Sequence, residues 1–265
     1  MLRCAFESFD GTPIAYYQWG QVTATPPVVL LHGFAANAEA NWVAPGVVAA
    51  LTEAGRQVVA MDARGHGDSG KSDDPRHYGD GTMSRDLSCL FDVLGVDGVH
   101  LAGYSLGAVV SLITAAQDAR VRRLVLGGIG GDVVRPADGR TRSGAAVSAA
   151  LLADDTSTLP PAGAGVRALA DRVGADRPSL AAAAGAGRSA VGSVDLIAVA
   201  TLVLVGEDDQ LATRPELLAE AIGGAELRLV PGGHLSAVSE TAFAKSIVDF
   251  FTEQEPTERQ DNDAD

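Results

Sequence analysis

Residues 103–107 read Gly103-Tyr104-Ser105-Leu106-Gly107, which is a G-x-S-x-G sequence. The apolar run at 98–102 precedes it and indicates a strand, while the apolar stretch at 108–116 indicates a helix. A serine on a sharp turn between a strand and a helix presents its hydroxyl at the carboxyl edge of a sheet. The flanking glycines let neighbouring backbone approach the serine closely. The stretch therefore predicts that Ser105 is a nucleophile.

A nucleophilic serine needs a base, which is commonly a histidine oriented by a carboxylate. After a strand–turn–helix serine the chain order is Ser, then Asp or Glu, then His. Of the five histidines, only His234 follows Ser105, and it lies in a glycine-rich turn directly after the strand-like run at 226–230. We therefore predict that His234 is the base.

The orienting acid is expected between the serine and the histidine. A strand-like run at 201–205 ends in Gly206-Glu207-Asp208-Asp209, one strand before the histidine turn. Asp132, which follows an earlier strand-like run, is the alternative acid. We favour the later cluster, because its turn leaves an apolar strand where the histidine needs a carboxylate.

Five motifs in sequential order resemble the α/β-hydrolase superfamily, and more narrowly its branch of small bacterial esterases, perhydrolases and lactonases. They are the opening hairpin Asp10–Tyr16, the strand and loop Val28–Phe34, the D-x-R-G-H-G-x-S loop within Met61–Gly70, the acid turn Gly206–Asp209 and the turn Gly233-His234. The chain departs from the family's pattern at Ala108, where a second glycine is frequent, and at Gln210, where a proline is frequent. Neither departure removes a reacting group.

The resemblance implies that the acid is Asp209 rather than Asp208. An oxyanion hole needs two backbone N–H groups, of which one belongs to the residue after the nucleophile, Leu106. The resemblance implies that the second is the N–H of Phe34. Histidines 32 and 66 are interpreted as structural residues that order their glycine-rich loops.

Eight strand-like runs alternate with helical stretches after the opening hairpin. This pattern predicts an α/β-hydrolase fold, with a mostly parallel eight-stranded sheet, helices on both faces and a small lid insertion. The expected core comprises residues 1–131 and 196–252, and the expected lid comprises residues 132–195. Residues 253–265 are acidic and almost free of apolar side chains, which predicts a disordered tail.

The predicted lid contains no Phe, Trp or Tyr. The aromatic surface of the substrate pocket is therefore expected from Phe34, Trp42 and Tyr104. For Trp42, a half-buried surface position is an equally good interpretation.

The formal net charge is −14, which argues against nucleic acid as a partner, because nucleic acid binding needs basic surface. Cys4 and Cys89 have no metal-ligand spacing and read as reduced thiols, so a cytoplasmic protein is expected. No stretch supplies the roughly 20 apolar residues of a membrane span, so no membrane partner is expected. We expect neither a cofactor nor a metal, and the sequence leaves the oligomeric state open.

These features together predict a serine hydrolase that cleaves small to medium esters or lactones through an acyl-enzyme on Ser105. Carbon–carbon bond hydrolysis or perhydrolysis with the same three residues is an alternative within the same class. A ligand receptor that keeps the three residues but has no turnover is an alternative from a different class.

Overall fold

The computed structural model describes residues 1–134, 144–186 and 194–253. Within these ranges, eight strands form one sheet: β1 Leu2–Glu7, β2 Pro13–Trp19, β3 Val28–Leu31, β4 Val58–Met61, β5 Val99–Tyr104, β6 Val121–Gly127, β7 Ala200–Gly206 and β8 Glu226–Val230. The strand order is β1-β2-β4-β3-β5-β6-β7-β8. Strands β3 to β8 pair in parallel, while β2 pairs antiparallel with both β1 and β4. The carboxyl ends of β3 to β8 therefore meet at one edge of the sheet.

The described ranges also contain eight α-helices: α1 Val47–Glu53, α2 Asp80–Leu94, α3 Leu106–Gln117, α4 Gly144–Leu152, α5 Pro161–Arg172, α6 Arg177–Gly185, α7 Pro215–Ala221 and α8 Thr241–Thr252. Helix α2 ends at Gly95, whose φ of +62° and backbone bonds to Phe91 and Asp92 close the last turn. This left-handed conformation is readily available to glycine, and it explains why the sequence pattern stops there.

Two apolar clusters hold the helices against the two faces of the sheet. Side chains of α2, α3 and α7 join one cluster, and side chains of α1 and α8 join the other. Strands β3 and β4 are buried along their whole length, as expected for central parallel strands that are covered on both faces. The predicted α/β-hydrolase fold, with its mostly parallel eight-stranded sheet, is therefore confirmed.

Helices α4, α5 and α6 lie between β6 and β7 along the chain and form the helical insertion, residues 144–186. The predicted lid, residues 132–195, extends beyond these helices into parts outside the described residues, so its limits stay a prediction. The predicted acidic tail, residues 253–265, lies outside the described residues except for Glu253.

Candidate active site

Ser105 occupies the turn between β5 and α3 with φ +52° and ψ −110°. A non-glycine residue with positive φ is uncommon and marks a constrained turn. A Cβ at Gly103 would lie 2.2 Å from the Gly107 carbonyl oxygen, and one at Gly107 would lie 2.1 Å from the Leu31 carbonyl oxygen. Both positions therefore require glycine, since α3 begins in backbone contact with the sheet. The G-x-S-x-G sequence is a steric necessity of this turn.

The side chains of Ser105, His234 and Asp209 form one hydrogen-bonded chain. His234 Nε2 lies 3.0 Å from Ser105 Oγ, and His234 Nδ1 lies 2.8 Å from Asp209 Oδ2. A carboxylate can only accept, so Nδ1 carries the proton and Nε2 is left to accept from the serine hydroxyl. This is the tautomer that a histidine base requires.

Backbone groups hold the Asp209 carboxylate in place. Its Oδ1 accepts from the N–H groups of Leu211 (2.8 Å) and Ala212 (3.1 Å), and its side chain is fully buried. The neighbouring Asp208 is exposed. Of the two aspartates in this turn, Asp209 is therefore the one bonded to His234.

Close backbone contacts join the acid turn to the histidine turn. A Cβ at Gly206 would lie 2.2 Å from the Gly232 carbonyl oxygen, and the Asp208 N–H donates to the same oxygen at 3.1 Å. Asp132, the alternative acid, accepts from Thr213 Oγ1 at 2.6 Å and pairs with Arg214. It thus contacts the segment after the acid turn.

The two amides predicted for the oxyanion hole lie on either side of the serine turn. Among the described residues, neither the Phe34 N–H nor the Leu106 N–H donates a hydrogen bond to a protein acceptor. The loop of Phe34 comes close to the nucleophile, because a Cβ at Gly33 would lie 3.4 Å from Ser105 Cβ. Both amides are thus available to an oxygen bound beside Ser105.

His32 holds the backbone of this loop. Its Nδ1–H donates to the Gly33 carbonyl at 2.8 Å, and its Nε2 accepts from the Ala63 N–H at 3.0 Å. The Ala36 N–H also donates to the Gly33 carbonyl. The Gly33 carbonyl and the Phe34 N–H belong to one planar peptide and point in opposite directions. Fixing the carbonyl therefore fixes the direction of the predicted oxyanion donor.

His66 packs against His32 with ring centroids 5.1 Å apart and donates from Nδ1 to the Arg64 carbonyl at 3.0 Å. Burial, with a smaller contribution from His32, lowers the pKa of His66 to about 3. Burial also lowers the pKa of His32. Two neutral, fully buried rings agree with the structural interpretation of both histidines.

Two residues predicted to line the substrate pocket lie elsewhere, and both predictions are corrected. Trp42 has 0% exposure and belongs to the apolar cluster of α1 and α8, so it is a core residue and does not occupy the half-buried surface position either. Tyr104 is 4% exposed and donates from its hydroxyl to the His234 carbonyl at 2.6 Å. Its ring lies 5.4 Å from the imidazole of His234, so Tyr104 supports the histidine turn from inside the core.

Burial, followed by the Asp209 carboxylate, raises the pKa of Tyr104 well above its ordinary value. The hydroxyl thus remains a donor to the histidine turn. Phe34, the third predicted pocket aromatic, is half-buried and packs against the apolar cluster that Ala35 forms with Leu151 and Leu180 of the helical insertion. Phe34 therefore connects the oxyanion loop to the insertion.

Sequence reasoning missed Asn41, whose Oδ1 accepts from the Gly33 N–H at 2.9 Å. It also missed Ala35, which has φ +60° in the same loop. The sequence after the loop is a short segment rich in Ala and Asn. This composition specifies neither the bond of Asn41 nor the backbone conformation of Ala35. In the three described ranges, no group of three or more His, Cys, Asp or Glu residues could hold a metal ion.

The comparisons with known proteins find relatives of the same fold. A family profile of the alpha/beta hydrolase fold matches residues 26–140. The sn-1-specific diacylglycerol lipase ABHD11 of Mus musculus is 34% identical over 116 residues, which are 43% of this chain and 36% of that protein. The chain thus spans only about a third of this curated relative.

Solved structures match over almost the whole chain. A hydrolase from Pseudomonas aeruginosa is 26% identical with a TM-score of 0.74, over 95% of this chain and 98% of that one. The enol-lactonase from Burkholderia xenovorans is 27% identical with a TM-score of 0.72, over 94% of this chain and 100% of that one. No helix in the described ranges is long and apolar enough to cross a bilayer. From its sheet topology, its serine turn and these similarities, the chain has the α/β-hydrolase fold.

Proposed function

We propose that the protein is a serine hydrolase that cleaves carboxylic ester or lactone bonds of small to medium substrates through an acyl-enzyme on Ser105. The observation that carries the proposal is the continuous chain from Ser105 Oγ through His234 to the buried carboxylate of Asp209. The similarity to an enol-lactonase supports lactones as substrates beside open-chain esters.

In the first step, Ser105 Oγ forms a bond to the carbonyl carbon while its proton passes to His234 Nε2. The electron pair of the carbonyl bond moves to the oxygen, which becomes an oxyanion. Asp209 accepts from His234 Nδ1–H and stabilises the imidazolium that forms. The N–H groups of Phe34 and Leu106 are free to donate to the oxyanion, and this is commonly the largest single contribution in acyl transfer.

The tetrahedral intermediate then collapses. The bond to the leaving oxygen breaks, and the proton on His234 Nε2 passes to that oxygen, which leaves as an alcohol. Water then attacks the acyl-enzyme by the same route, with His234 as base and then as acid. The products are a carboxylic acid and an alcohol, or a hydroxy acid where the substrate is a lactone.

Hydrolysis of p-nitrophenyl acetate and labelling by a fluorophosphonate test the proposal. We expect saturable turnover and a single label on Ser105. In Ser105→Ala, labelling is lost and kcat falls by about 10⁶-fold. Ser239→Ala is the matched control, because Ser239 is an exposed serine in the loop that follows His234. Labelling without turnover would indicate a receptor, and labelling at another serine would refute the assignment.

A further inference from the structure

Asn41 lies on a single turn of π-helix, Glu39–Val43, which follows the oxyanion loop. Its Oδ1 accepts from the Gly33 N–H at 2.9 Å. A Cβ at Gly33 would lie 3.5 Å from this Oδ1 and 3.4 Å from Ser105 Cβ. The Asn41 side chain is therefore separated from the nucleophile by little more than one glycine residue.

The contact with Asn41 completes the hold on Gly33. Asn41 binds the N–H of this residue, while His32 Nδ1–H and the Ala36 N–H bind its carbonyl. Both peptide planes that meet at Gly33 are thereby fixed. The Gly33 N–H is occupied, whereas the Phe34 N–H donates to no protein acceptor among the described residues.

The Asn41 side chain is buried with one of its two polar atoms bonded and the other not. The residue is 5% exposed, and its Nδ2 has no hydrogen-bond partner within residues 1–134, 144–186 and 194–253. A buried donor without a partner destabilises a fold, and the compensating contact of this side chain is the bond that its Oδ1 accepts from the buried Gly33 N–H. Departures from local rules of this kind are expected where function requires a particular side chain.

The chemistry of the site also requires that the acceptor carry no charge. A carboxylate at position 41 would accept from the Gly33 N–H equally well. It would also place a negative charge close to the carbonyl oxygen that becomes an oxyanion, and like charges at short range in a poorly solvated site repel strongly. An amide oxygen supplies the hydrogen bond without this repulsion.

We propose that Asn41 is a positioning residue of the oxyanion loop, whose uncharged Oδ1 holds the Gly33 amide and so directs the Phe34 N–H toward the substrate carbonyl oxygen. The inference rests on the proposed acyl transfer at Ser105. Asn41 acts through Gly33 and contacts neither substrate nor Ser105 Oγ.

Steady-state kinetics of Asn41→Ala and Asn41→Asp with p-nitrophenyl acetate test the inference. Loss of one oxyanion donor costs about 10²–10³-fold in kcat, so loss of its positioning by Asn41→Ala is expected to cost about 10–100-fold, with KM nearly unchanged. Asn37→Ala is the matched control, because Asn37 Oδ1 accepts from the Ala40 N–H in the same segment and does not contact Gly33. The control is expected to keep the wild-type kcat.

The pH profile separates positioning from a purely structural role. The ratio of wild-type kcat to that of Asn41→Asp is expected to rise with pH as the new carboxyl ionises, while the ratio for Asn41→Ala stays constant. Asn41→Asp is nearly isosteric, so it keeps the test available if Asn41→Ala does not fold. A kcat in both variants equal to that of the wild type, even with a lowered Tm, overturns the inference.

Failure of the proposed function is distinguishable from failure of this inference. If the wild-type protein labels but does not turn over esters, the second-order rate of Ser105 labelling by a fluorophosphonate replaces kcat, since the phosphoryl oxygen needs the same donors. Slower labelling in Asn41→Ala than in Asn37→Ala then supports the inference, and equal rates overturn it. A wild-type protein that does not label overturns both.

Discussion

The sheet core buries aromatic and charged side chains, whereas the helical insertion buries only small or aliphatic ones. In the core, the Arg64 guanidinium donates to the Asp86 carboxylate at 2.6 Å, and both side chains are almost completely buried. In the insertion, the fully buried leucines are Leu151 and Leu180, and alanines surround them. The core is held by buried ion pairs as well as by packing, while the described part of the insertion combines close packing with bonds from Ser148 and Arg167 to backbone carbonyls.

At least one glycine of the insertion lies in a close contact between two helices. A Cβ at Gly144 would lie 2.0 Å from the Ala184 carbonyl oxygen, so α4 and α6 touch through their backbones. The Ser148 hydroxyl donates to the Ala181 carbonyl at 2.5 Å across the same contact. Small residues here therefore allow the helices to pack closely.

This difference leads us to expect that the core determines the chemistry and the insertion determines the choice of substrate. The core holds the serine, histidine and aspartate through backbone contacts that admit little variation. The insertion contacts the oxyanion loop through Phe34 and Ala35, and the cluster that makes this contact contains none of the three residues. Changes in the core are thus expected to alter rate and stability, and changes in the insertion to alter specificity.

The largest effect is expected in the core at Asp209. Asp209→Asn removes the acceptor that fixes the tautomer of His234, and a loss of about 10⁴-fold in kcat is expected by analogy with the same change in serine proteases. Asp208→Asn, one residue away and exposed, is the control and is expected to cost little. The reverse ranking would show that the register of the acid turn is wrong, and a large loss only in Asp132→Asn would move the acid to the earlier strand.

A pair of leucine truncations compares the two regions directly. Leu204 in β7 and Leu180 in α6 are both completely buried. Leu204→Ala is expected to lower the free energy of unfolding by about 2–5 kcal/mol. Leu180→Ala is expected to fall at or below the lower end of that range, because its small cluster can collapse around the deletion.

Urea unfolding followed by tryptophan fluorescence measures the core, since Trp19 and Trp42 both pack in the cluster of α1 and α8. Hydrogen exchange measures the insertion separately. Faster exchange confined to α4–α6 in Leu180→Ala would sharpen the comparison. Equal losses of unfolding free energy in Leu204→Ala and Leu180→Ala would contradict the comparison, because they would show that core and insertion unfold as one unit.

The core is also expected to be the acid-sensitive region. Burial, then Arg56 and Arg123, lower the pKa of His100 from 6.5 to about 3. Between these values the unfolded chain binds a proton that the folded chain does not, so stability falls as pH falls. The contribution is up to about 1.4 kcal/mol per pH unit.

His100→Gln keeps an acceptor for the Arg56 Nη2 that bonds His100 at 3.0 Å. This variant is expected to show a shallower decline in the free energy of unfolding below pH 6.5. The described insertion buries no ionisable side chain, so its hydrogen exchange should show no matching dependence. An unchanged slope in His100→Gln would contradict the assignment.

The smallest effect is expected on kcat/KM when the acyl chain of the substrate is lengthened by one methylene at a time. Each buried methylene is worth about 0.8 kcal/mol, or roughly fourfold, only where the site excludes water around it. The insertion has no aromatic side chain in its sequence, so we expect kcat/KM to favour acetyl to butyryl esters over decanoyl or longer ones. Measurement across p-nitrophenyl esters from acetyl to dodecanoyl decides this, and a rise that continues past octanoyl would reveal a deep channel.

Local sequence patterns predicted the elements of the core closely. The strand-like run at 226–230 is β8 without a shift, and the helix indicated by the apolar stretch at 108–116 is α3 at Leu106–Gln117. Apolar runs and glycine stops are local consequences of burial and backbone geometry, so they can be read without the fold. The order of Ser105, Asp209 and His234 along the chain was readable for the same reason, because each follows a predicted strand.

Only the tertiary structure decided where side chains between these elements point. Trp42 and Tyr104 looked like pocket residues by their position near the motifs, but both lie in the core. The contact of Asn41 with Gly33 joins residues whose types carry no periodic signal. Such placements depend on how many distant groups pack at once, and this is settled by the sum of long-range contacts rather than by any stretch of the sequence.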